Sequence, residues 1–306
     1  MLAVFLQTLP FFGLIGLGYG AGRSGFFTPE ATAYLTKFVF YFALSAMLFR
    51  FSADLSIAQV WNAPLAAAYF WGTTTIYLVA TAIGFLRGRR LDEVAVEAQV
   101  AVIGNAGFLG VPMFVLLFGE QAIGPLMLCL TIDLIVFSSL IVILITASRE
   151  GRLRLAVLRT IGLGLLKNPM IVSISAGFVW SALGLPFPEP FERFLLLLGA
   201  AATPGALFAI GASLAGKSAE RLSIAGYLSA MKLLVHPAAV AFAALVLFPV
   251  EPFAAKIAIA AAALPVAGNV YILAQHYGVA PQRVSTAILV STSLSIVTLP
   301  LAISWL

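Results

Sequence analysis

Charged side chains are scarce in this sequence. Asp, Glu, Lys and Arg make up 9% of its 306 residues, whereas soluble domains carry about 25%. Hydrophobic side chains make up 62%, and the mean hydropathy is +1.07. A soluble fold of this length has too little interior to hold so many apolar side chains. The composition therefore excludes a soluble protein and predicts an integral membrane protein of the all-α class.

Cysteine is nearly absent. Cys129 is the only one, which excludes disulfides within the chain and metal sites built on cysteine. The zinc-binding pattern HExxH is also missing. The segment "GASLAG" (211–216) faintly resembles the nucleophile of a membrane serine protease, but Leu214 stands where such a site needs glycine. The sequence therefore predicts neither an enzyme nor a bound cofactor.

Positive charge is missing before the first apolar run, and the first basic residue, Arg23, follows that run. A secretory signal peptide has the opposite order, so we predict a first membrane helix whose N-terminus faces outward. About 20 mostly apolar residues are needed to span a bilayer, and ten stretches qualify approximately. These predicted spans 1 to 10 are 2–22, 30–50, 62–86, 91–118, 121–147, 168–184, 191–215, 221–249, 253–278 and 281–305.

Basic residues follow the alternation of these spans. With the N-terminus outside, most of them fall in loops on the inner side of the membrane. The inner loops hold Arg23, Arg87, Arg89, Arg90, Arg149, Arg152, Arg154, Arg159, Lys167, Lys217, Arg221 and Arg283, and the outer loops hold Arg50, Arg193 and Lys256. This is the positive-inside distribution of a plasma membrane protein with both termini outside. It explains the pI of 9.5 without a nucleic-acid partner.

The longest inner loop, over 148–167, contains "SREGRLRLAVLRT". Its arginines and interspersed leucines are typical of a short helix that lies on the membrane surface. A basic tether between two halves of the chain fits the same pattern equally well.

The chain contains an internal repeat. A shift of 164 residues places Gly104-Asn105 on Gly268-Asn269 and carries the spans of the first half onto spans of the second. Because each half has five spans, an odd number, the halves must lie upside down relative to each other. The sequence therefore predicts two inverted five-helix repeats, 1–147 and 168–306, which is an architecture of secondary transporters.

Two predicted spans carry helix breakers at matching positions. Span 4 reads "AVIGNAGFLGVPMFVLLFG" and span 9 reads "AAALPVAGNVYILAQHYG". Such breaks survive at membrane depth only where protein or a water-filled cavity covers them. Kinked structural helices are the alternative, since Gly and Pro are common in membrane spans.

The matched breaks predict a shared central site for an anion. New half-helices would begin near Gly110-Val111-Pro112 and near Gly268-Asn269, with free N–H groups at their positive ends. Asn105 and Asn269 supply amides, and glycines allow a ligand to approach the main chain. The substrate-site candidates are Asn105, Gly107, Gly110, Pro112, Pro265, Gly268, Asn269 and Gln275.

The segments "GNAGFLGVP" and "LPVAGNVYILA", with ten spans and a basic central loop, resemble the auxin efflux carrier family of membrane transport proteins. The resemblance implies a fold similar to bile-acid and sodium–proton transporters, with spans 4 and 9 crossing at their breaks. It implies that a core (spans 3–5 and 8–10) moves like an elevator against a scaffold (spans 1, 2, 6 and 7), in a dimer. It also implies substrate contacts at Asn105, Pro112, Pro265 and Asn269, and, as in bacterial members, an acid such as malonate or malate.

Ionisable side chains within membrane spans are costly and functional by default, and three in the predicted spans are candidates for ion coupling. Asp133 is near the middle of span 5, and Lys232 and His236 lie in span 8. Asp133 is a candidate for carrying a coupling proton, or it forms an ion pair with Lys232 that only joins helices. His236 is either a group that titrates near neutral pH or a hydrogen-bonded core histidine.

These observations predict a secondary transporter that moves a small organic anion, a mono- or dicarboxylate, by alternating access. H⁺ and Na⁺ are both open as coupling ions, because an inside-negative membrane potential opposes anion entry. An uncoupled anion exporter or a channel-like permease is the alternative. The predicted partners are the lipid bilayer, the carboxylate substrate and a second copy of the chain bound through the scaffold.

Overall fold

The structure is a computed structural model that describes residues 2–150, 155–216 and 222–305. Within these ranges every regular element is a helix. The one β contact among them is an isolated antiparallel bridge between Gly104 and Val266. The all-helical class predicted from the sequence is confirmed.

The first half of the chain contains helices α1 to α9. They are α1 (Leu2–Arg23), α2 (Pro29–Phe38), α3 (Leu44–Ala53), α4 (Ile57–Val60), α5 (Ala63–Leu86), α6 (Leu91–Val102), α7 (Val111–Phe118), α8 (Ile123–Ile132) and α9 (Ser138–Glu150). Wider π-helical turns join α2 to α3, lead into α7 and join α8 to α9. These turns are Val39–Ala43, Ala106–Gly110 and Asp133–Phe137.

The second half contains helices α10 to α18. They are α10 (Leu155–Lys167), α11 (Pro169–Ala182), α12 (Glu189–Ala200), α13 (Ala202–Ala215), α14 (Leu222–Ala230), α15 (His236–Phe242), α16 (Pro252–Ala262), α17 (Gly268–His276) and α18 (Pro281–Trp305). Two further π-helical turns, Met231–Val235 and Ala243–Leu247, flank α15.

Several helices begin at a polar residue followed by proline in the first helical turn. The side chains of Thr28, Asn62, Asn168 and Glu251 accept hydrogen bonds from N–H groups at the starts of α2, α5, α11 and α16. Such caps satisfy donors that a helix leaves free at its N-terminus. Proline fits there because its missing N–H would have no partner. These starts are visible in the sequence.

Six helical segments are long and apolar enough to cross a membrane by length and composition. They are Pro29–Ala53, Ala63–Leu86, Glu120–Arg149, Glu189–Ala215, Leu222–Leu247 and Pro281–Trp305. A seventh exists if the bent pair Leu158–Lys167 and Pro169–Ala182 forms one span. The chain is therefore a multi-pass membrane protein. Although helices overlie all ten stretches proposed from the sequence, the ten-span inverted repeat stays a prediction.

The basic linker lies partly outside the described residues, since 151–154 are not among them. On either side, α9 ends at Glu150 and α10 begins at Leu155. At Asn168 the chain turns by 71° into α11. The prediction of a surface helix over the whole linker is thus not tested at its centre.

The helices pack in two groups. In one, α1 runs along α13, α11 runs along α3, and α12 packs on α3. In the other, α5 packs on α6 and α15, α14 packs on α18, and α16 packs on α8 and α15. Contacts between α1 and α18, and between α13 and the turn Ala106–Gly110, join the two groups.

Backbone contact between α1 and α13 depends on glycine. A Cβ atom on Gly18 would overlap the carbonyl oxygen of Phe208, and one on Gly211 would overlap that of Ile15. A larger residue at either position must push the two helices apart. Membrane helices commonly use small residues in this way, because packing replaces the hydrophobic effect between spans.

Replacing Gly18 with alanine should destabilise the α1–α13 contact. Overpacking of this kind costs about 1–3 kcal/mol, so the thermal unfolding midpoint of detergent-purified Gly18→Ala should fall by several degrees. Gly16→Ala is the matched control, because no atom lies within 4 Å of a Cβ at Gly16 on the same helix. Equal midpoints for the two variants would contradict the backbone contact.

Candidate functional site

The breaks after α6 and α16 meet in the centre of the protein. The N–H of Asn105 donates to the carbonyl of Pro265 at 2.8 Å, and the N–H of Ala267 donates to the carbonyl of Ile103 at 3.1 Å. Hydrocarbon offers no partners for broken backbone, so each break satisfies the other. We call residues 103–105 and 265–267 the crossover.

The crossover is a short antiparallel pairing of two chain segments. Gly104 lies opposite Val266, and the two hydrogen bonds join Asn105 to Pro265 and Ala267 to Ile103. Asn105 immediately precedes its half-helix, whereas Asn269 is the second residue of α17. The two asparagines therefore occupy different positions relative to the two breaks.

One half-helix begins at its predicted position, and the other begins earlier than predicted. The second half-helix starts at Gly268, as predicted. The first starts at Ala106 with a π-helical turn, four residues before the predicted Gly110. In the described residues, the N–H groups of Gly268 and Gly107 have no hydrogen-bond partner. Both helix starts therefore present free donors beside the crossover.

A cavity of about 50 Å³ lies beside the crossover, which is enough space for a few water molecules. Its wall comes from both groups of helices and from the half-helix starts. The lining residues are Phe40, Ile103, Gly104, Asn105, Gly107, Phe108, Leu130, Asp133, Leu134, Asn168, Met170, Ala267, Gly268 and Asn269. Asp133 is the one ionisable side chain in this set.

Four of the eight substrate-site candidates line the cavity: Asn105, Gly107, Gly268 and Asn269. The side-chain oxygen of Asn269 is buried and has no partner among the described residues. At Gly107 a Cβ would lie 2.5 Å from the terminal methyl carbon of Met170. The amides thus border open space, and a larger residue at 107 would close it.

The other four substrate candidates do not line the cavity. Pro265 supplies the carbonyl that Asn105 binds, and Pro112 is buried in the first turn of α7. Gly110 allows Leu264 to approach, since a Cβ there would lie 2.7 Å from a Leu264 methyl carbon. Gln275 is exposed near the end of α17. Pro265 is part of the crossover, Gly110 packs against the residue that precedes it, and Pro112 and Gln275 lie in helices outside it.

Sequence reasoning missed part of the cavity wall. Phe40 and Phe108 stack with ring centroids 5.8 Å apart, and Asn168 and Met170 complete that side. Asn168-Pro169 was recognisable as a helix start, but nothing local indicates that it faces the crossover. Tertiary packing alone brings these residues to the cavity.

A series of buried polar side chains begins at Asp133 in the cavity wall and ends at Lys232, next to the crossover. The hydroxyl of Tyr69 donates to the two carboxylate oxygens of Asp133, at 3.2 and 3.1 Å. The hydroxyl of Thr73 lies 3.1 Å from Nε2 of His236. Nδ1 of His236 lies 3.3 Å from Nζ of Lys232, which also donates to the carbonyl of Ala262. His236 is thus a hydrogen-bonded core histidine.

Asp133 and Lys232 do not pair directly. No ion pair within 4 Å joins them in the part of the chain that the structure describes. A direct ion pair, one of the alternatives that the sequence left open, is therefore absent from the described residues: Tyr69 binds the carboxylate, and the carbonyl of Ala262 binds the ammonium. The two charges still attract each other through space.

Comparison with known proteins identifies the family. The family described as "Membrane transport protein" matches residues 3–303. The chain belongs to this family. It is 31% identical over 296 residues to a Rhizobium meliloti (strain 1021) protein named "Putative malonate transporter". The aligned region covers 95% of this chain and 92% of that protein.

More distant relatives come from Arabidopsis thaliana. "Auxin efflux carrier component 8" is 21% identical over 94% of this chain and 92% of its own length. "Auxin efflux carrier component 5" is 22% identical over 97% of this chain and 94% of its own length. The predicted resemblance is confirmed, and the family points to a transporter rather than an enzyme.

A second buried charge cluster holds together the helices around α6. Arg283 donates to Glu97 at 2.9 Å and to Glu93 at 2.8 Å, and Arg87 donates to the other oxygen of Glu97 at 2.7 Å. The side chains of Glu97 and Arg283 are only 2% and 7% exposed. This cluster ties the N-terminal end of α18 to α6, the first half of a broken span.

Glu97→Gln should strongly destabilise the protein, because Arg87 loses the carboxylate it binds and Arg283 keeps only that of Glu93. Removing one partner of a buried ion pair costs about 3–5 kcal/mol, which predicts a large drop in the thermal unfolding midpoint. Glu189→Gln is the matched control, since its ion pair with Arg193 is about three-quarters exposed and exposed pairs contribute little. Similar midpoints for both variants would contradict the role of the cluster.

Proposed function

We propose that this protein is a secondary transporter that carries a small organic anion, a mono- or dicarboxylate such as malonate or malate, by alternating access. The observation that carries the proposal is the crossover of two broken helices beside a cavity. Family membership supports transport, and the name of the Rhizobium meliloti relative supports the substrate class.

The geometry suits a carboxylate. The N–H groups at the starts of the two half-helices, near Gly107 and Gly268, carry the positive ends of the helix dipoles. The amide groups of Asn105 and Asn269 add side-chain hydrogen-bonding groups at the same place. Backbone donors, polar amides and a mostly apolar wall together select a small anion with a short carbon chain.

We further propose ten spans in two inverted repeats, with both termini outside the plasma membrane. Spans 1, 2, 6 and 7 form a scaffold that contributes Phe40, Asn168 and Met170 to the cavity. The remaining spans form a core that contributes the crossover and Asp133. Because the cavity lies between these bodies, an elevator-like movement of the core would carry it from one side to the other. The protein forms a homodimer through its scaffold.

Coupling follows from the charge of the cavity. An inside-negative potential opposes the entry of each anionic charge by about 2.3 kcal/mol per 100 mV. The lining residues contain the carboxyl group of Asp133 and no basic side chain. A negative carboxylate beside an anion is repulsive, so we propose that a proton on Asp133 accompanies the substrate. Sodium is the second candidate for the coupling ion.

Asn105→Ala and Asn269→Ala should each abolish counterflow of labelled malonate in proteoliposomes, because each removes an amide that faces the substrate. Asn62→Ala is the matched control, since Asn62 caps α5 away from the cavity and its loss should leave most of the transport activity. Unchanged counterflow in both cavity variants would disprove the site.

Counterflow also separates a carrier from a channel. A carrier accumulates labelled malonate against an unlabelled gradient of the same acid, whereas a pore lets the label equilibrate. Failure of the wild type with malonate, malate and other small acids would overturn the substrate class. Rapid equilibration without accumulation would favour the channel-like alternative.

Asp133→Asn should remove the response of transport to pH. If a proton travels with the anion, an imposed gradient with the acidic side outside should accelerate malonate uptake by the wild type. The asparagine variant, which carries no titratable carboxyl, should take up malonate at a rate that the gradient does not change. An equal acceleration in both proteins would leave Asp133 without a coupling role, and Na⁺ dependence would then be measured.

A further inference from the structure

Lys232 is a fully buried lysine beside the crossover. Its side chain is 0% exposed, and Nζ donates to the carbonyl of Ala262, the last residue of α16. By contrast, Lys37 is exposed and lies over the ring of Tyr34, with Nζ 5.4 Å from its centroid. A charge inside a membrane span is costly and is retained where it has a function.

The ammonium group lies at the negative end of a broken helix. The final carbonyls of a helix lack the usual intrahelical partners and attract cations. At the end of α16 the carbonyls of Ala260 and Ala261 accept from the N–H groups of Ala263 and Leu264. The carbonyl of Ala262 has no such backbone donor among the described residues. Ala262 is fully buried, and Nζ of Lys232 donates to its carbonyl.

Lys232 also reaches the glycine that borders the cavity. A Cβ on Gly104 would lie 3.3 Å from Nζ of Lys232 and 3.1 Å from the carbonyl oxygen of Ala261. Gly104 forms the β bridge with Val266 and lines the cavity. The ammonium group of Lys232 thus lies next to the crossover. Gly104, which has no side chain, separates it from the cavity.

The partners of Lys232 are uncharged groups with lone pairs, as in a site that holds a cation. They are the carbonyl of Ala262 and Nδ1 of His236 at 3.3 Å, with no carboxylate within 4 Å in the described residues. The π-helical turn Met231–Val235, which contains Lys232, widens the helix at this point. Such turns are common at functional sites because they redirect side chains.

We propose that the Lys232 ammonium is a tethered monovalent cation that holds the end of α16 against the crossover. Lys232 is a positioning residue: through Ala262 and the segment that follows, it fixes the carbonyl of Pro265 that Asn105 binds. This inference rests on the proposed transport function and assigns no bound Na⁺ to the crossover.

The test is removal of the tethered charge and its replacement from solution. Lys232→Ala leaves a hole of about the size of an alkylammonium ion, and ethylammonium chloride is the probe, with choline chloride as the inert salt. Lys232→Met removes the charge but keeps most of the side-chain volume, so it leaves no hole for the probe. Lys37→Ala is the matched control, because it removes an exposed lysine from another span.

Two readouts are measured for each purified full-length protein. One is counterflow of labelled malonate, which we expect to fall at least tenfold in Lys232→Ala in choline and to recover several-fold with ethylammonium. Lys232→Met should stay inactive with either salt, and the wild type and Lys37→Ala should respond to neither. Lys232→Arg, which keeps a cation, should retain part of the activity.

The second readout is the thermal unfolding midpoint, which does not depend on the substrate. A ligand that binds the folded state raises the midpoint, so ethylammonium should stabilise Lys232→Ala and leave the wild type unchanged. Absence of wild-type counterflow together with this stabilisation would overturn the proposed function and keep the tethered cation. Absence of stabilisation and of rescue, or full activity of Lys232→Ala in choline, would overturn the tethered cation.

Discussion

Every backbone polar group at membrane depth must find a partner within the protein or face a cavity that can hold water, and this constraint organises the centre of the structure. Two helices stop there, and each break supplies the partners that the other lacks, through the bonds of Asn105 to Pro265 and of Ala267 to Ile103. Opening either break alone would strand donors and acceptors in hydrocarbon, at several kcal/mol for each group. The two breaks are therefore stable only as a pair.

The same constraint explains the buried charges. The crossover exposes helix starts, which attract anions, and helix ends, which attract cations. Lys232 lies at a helix end, and the free N–H groups of Gly107 and Gly268 lie at the helix starts beside the cavity. The chain thus supplies a positive charge at the helix end, whereas the N–H groups at the helix starts have no partner among the described residues. Asp133, which Tyr69 binds, also lines the cavity.

The helical class and the approximate positions of the helices were readable from composition and local signals. Apolar stretches of sufficient length gave the positions of the helices, and a polar cap with a following proline marked several starts, as at Asn62 and Asn168. The half-helix starting at Gly268 was placed correctly. The start at Ala106 was placed four residues late, because a proline at 112 suggests a helix start while the π-helical turn before it has no sequence signature.

The candidate site was predictable only where it coincides with helix breakers. Asn105, Gly107, Gly268 and Asn269 were found because glycine and asparagine are out of place within an apolar span, and they do line the cavity. Phe40, Phe108 and Met170 were missed because aromatic and aliphatic residues are ordinary in a membrane helix. Their role comes from neighbours that are distant in the chain.

The sequence by itself determined the solvent, the helical class, the family and the two places where a span must break, since each follows from local composition or from a short motif. The tertiary structure decided the register of the crossover and the partners of each buried charge. It joined Asp133 to Tyr69 and Lys232 to Ala262 instead of to each other. Pairing in a low-dielectric interior is decided by distances of a few ångströms between helices, and no linear pattern in the chain contains those distances.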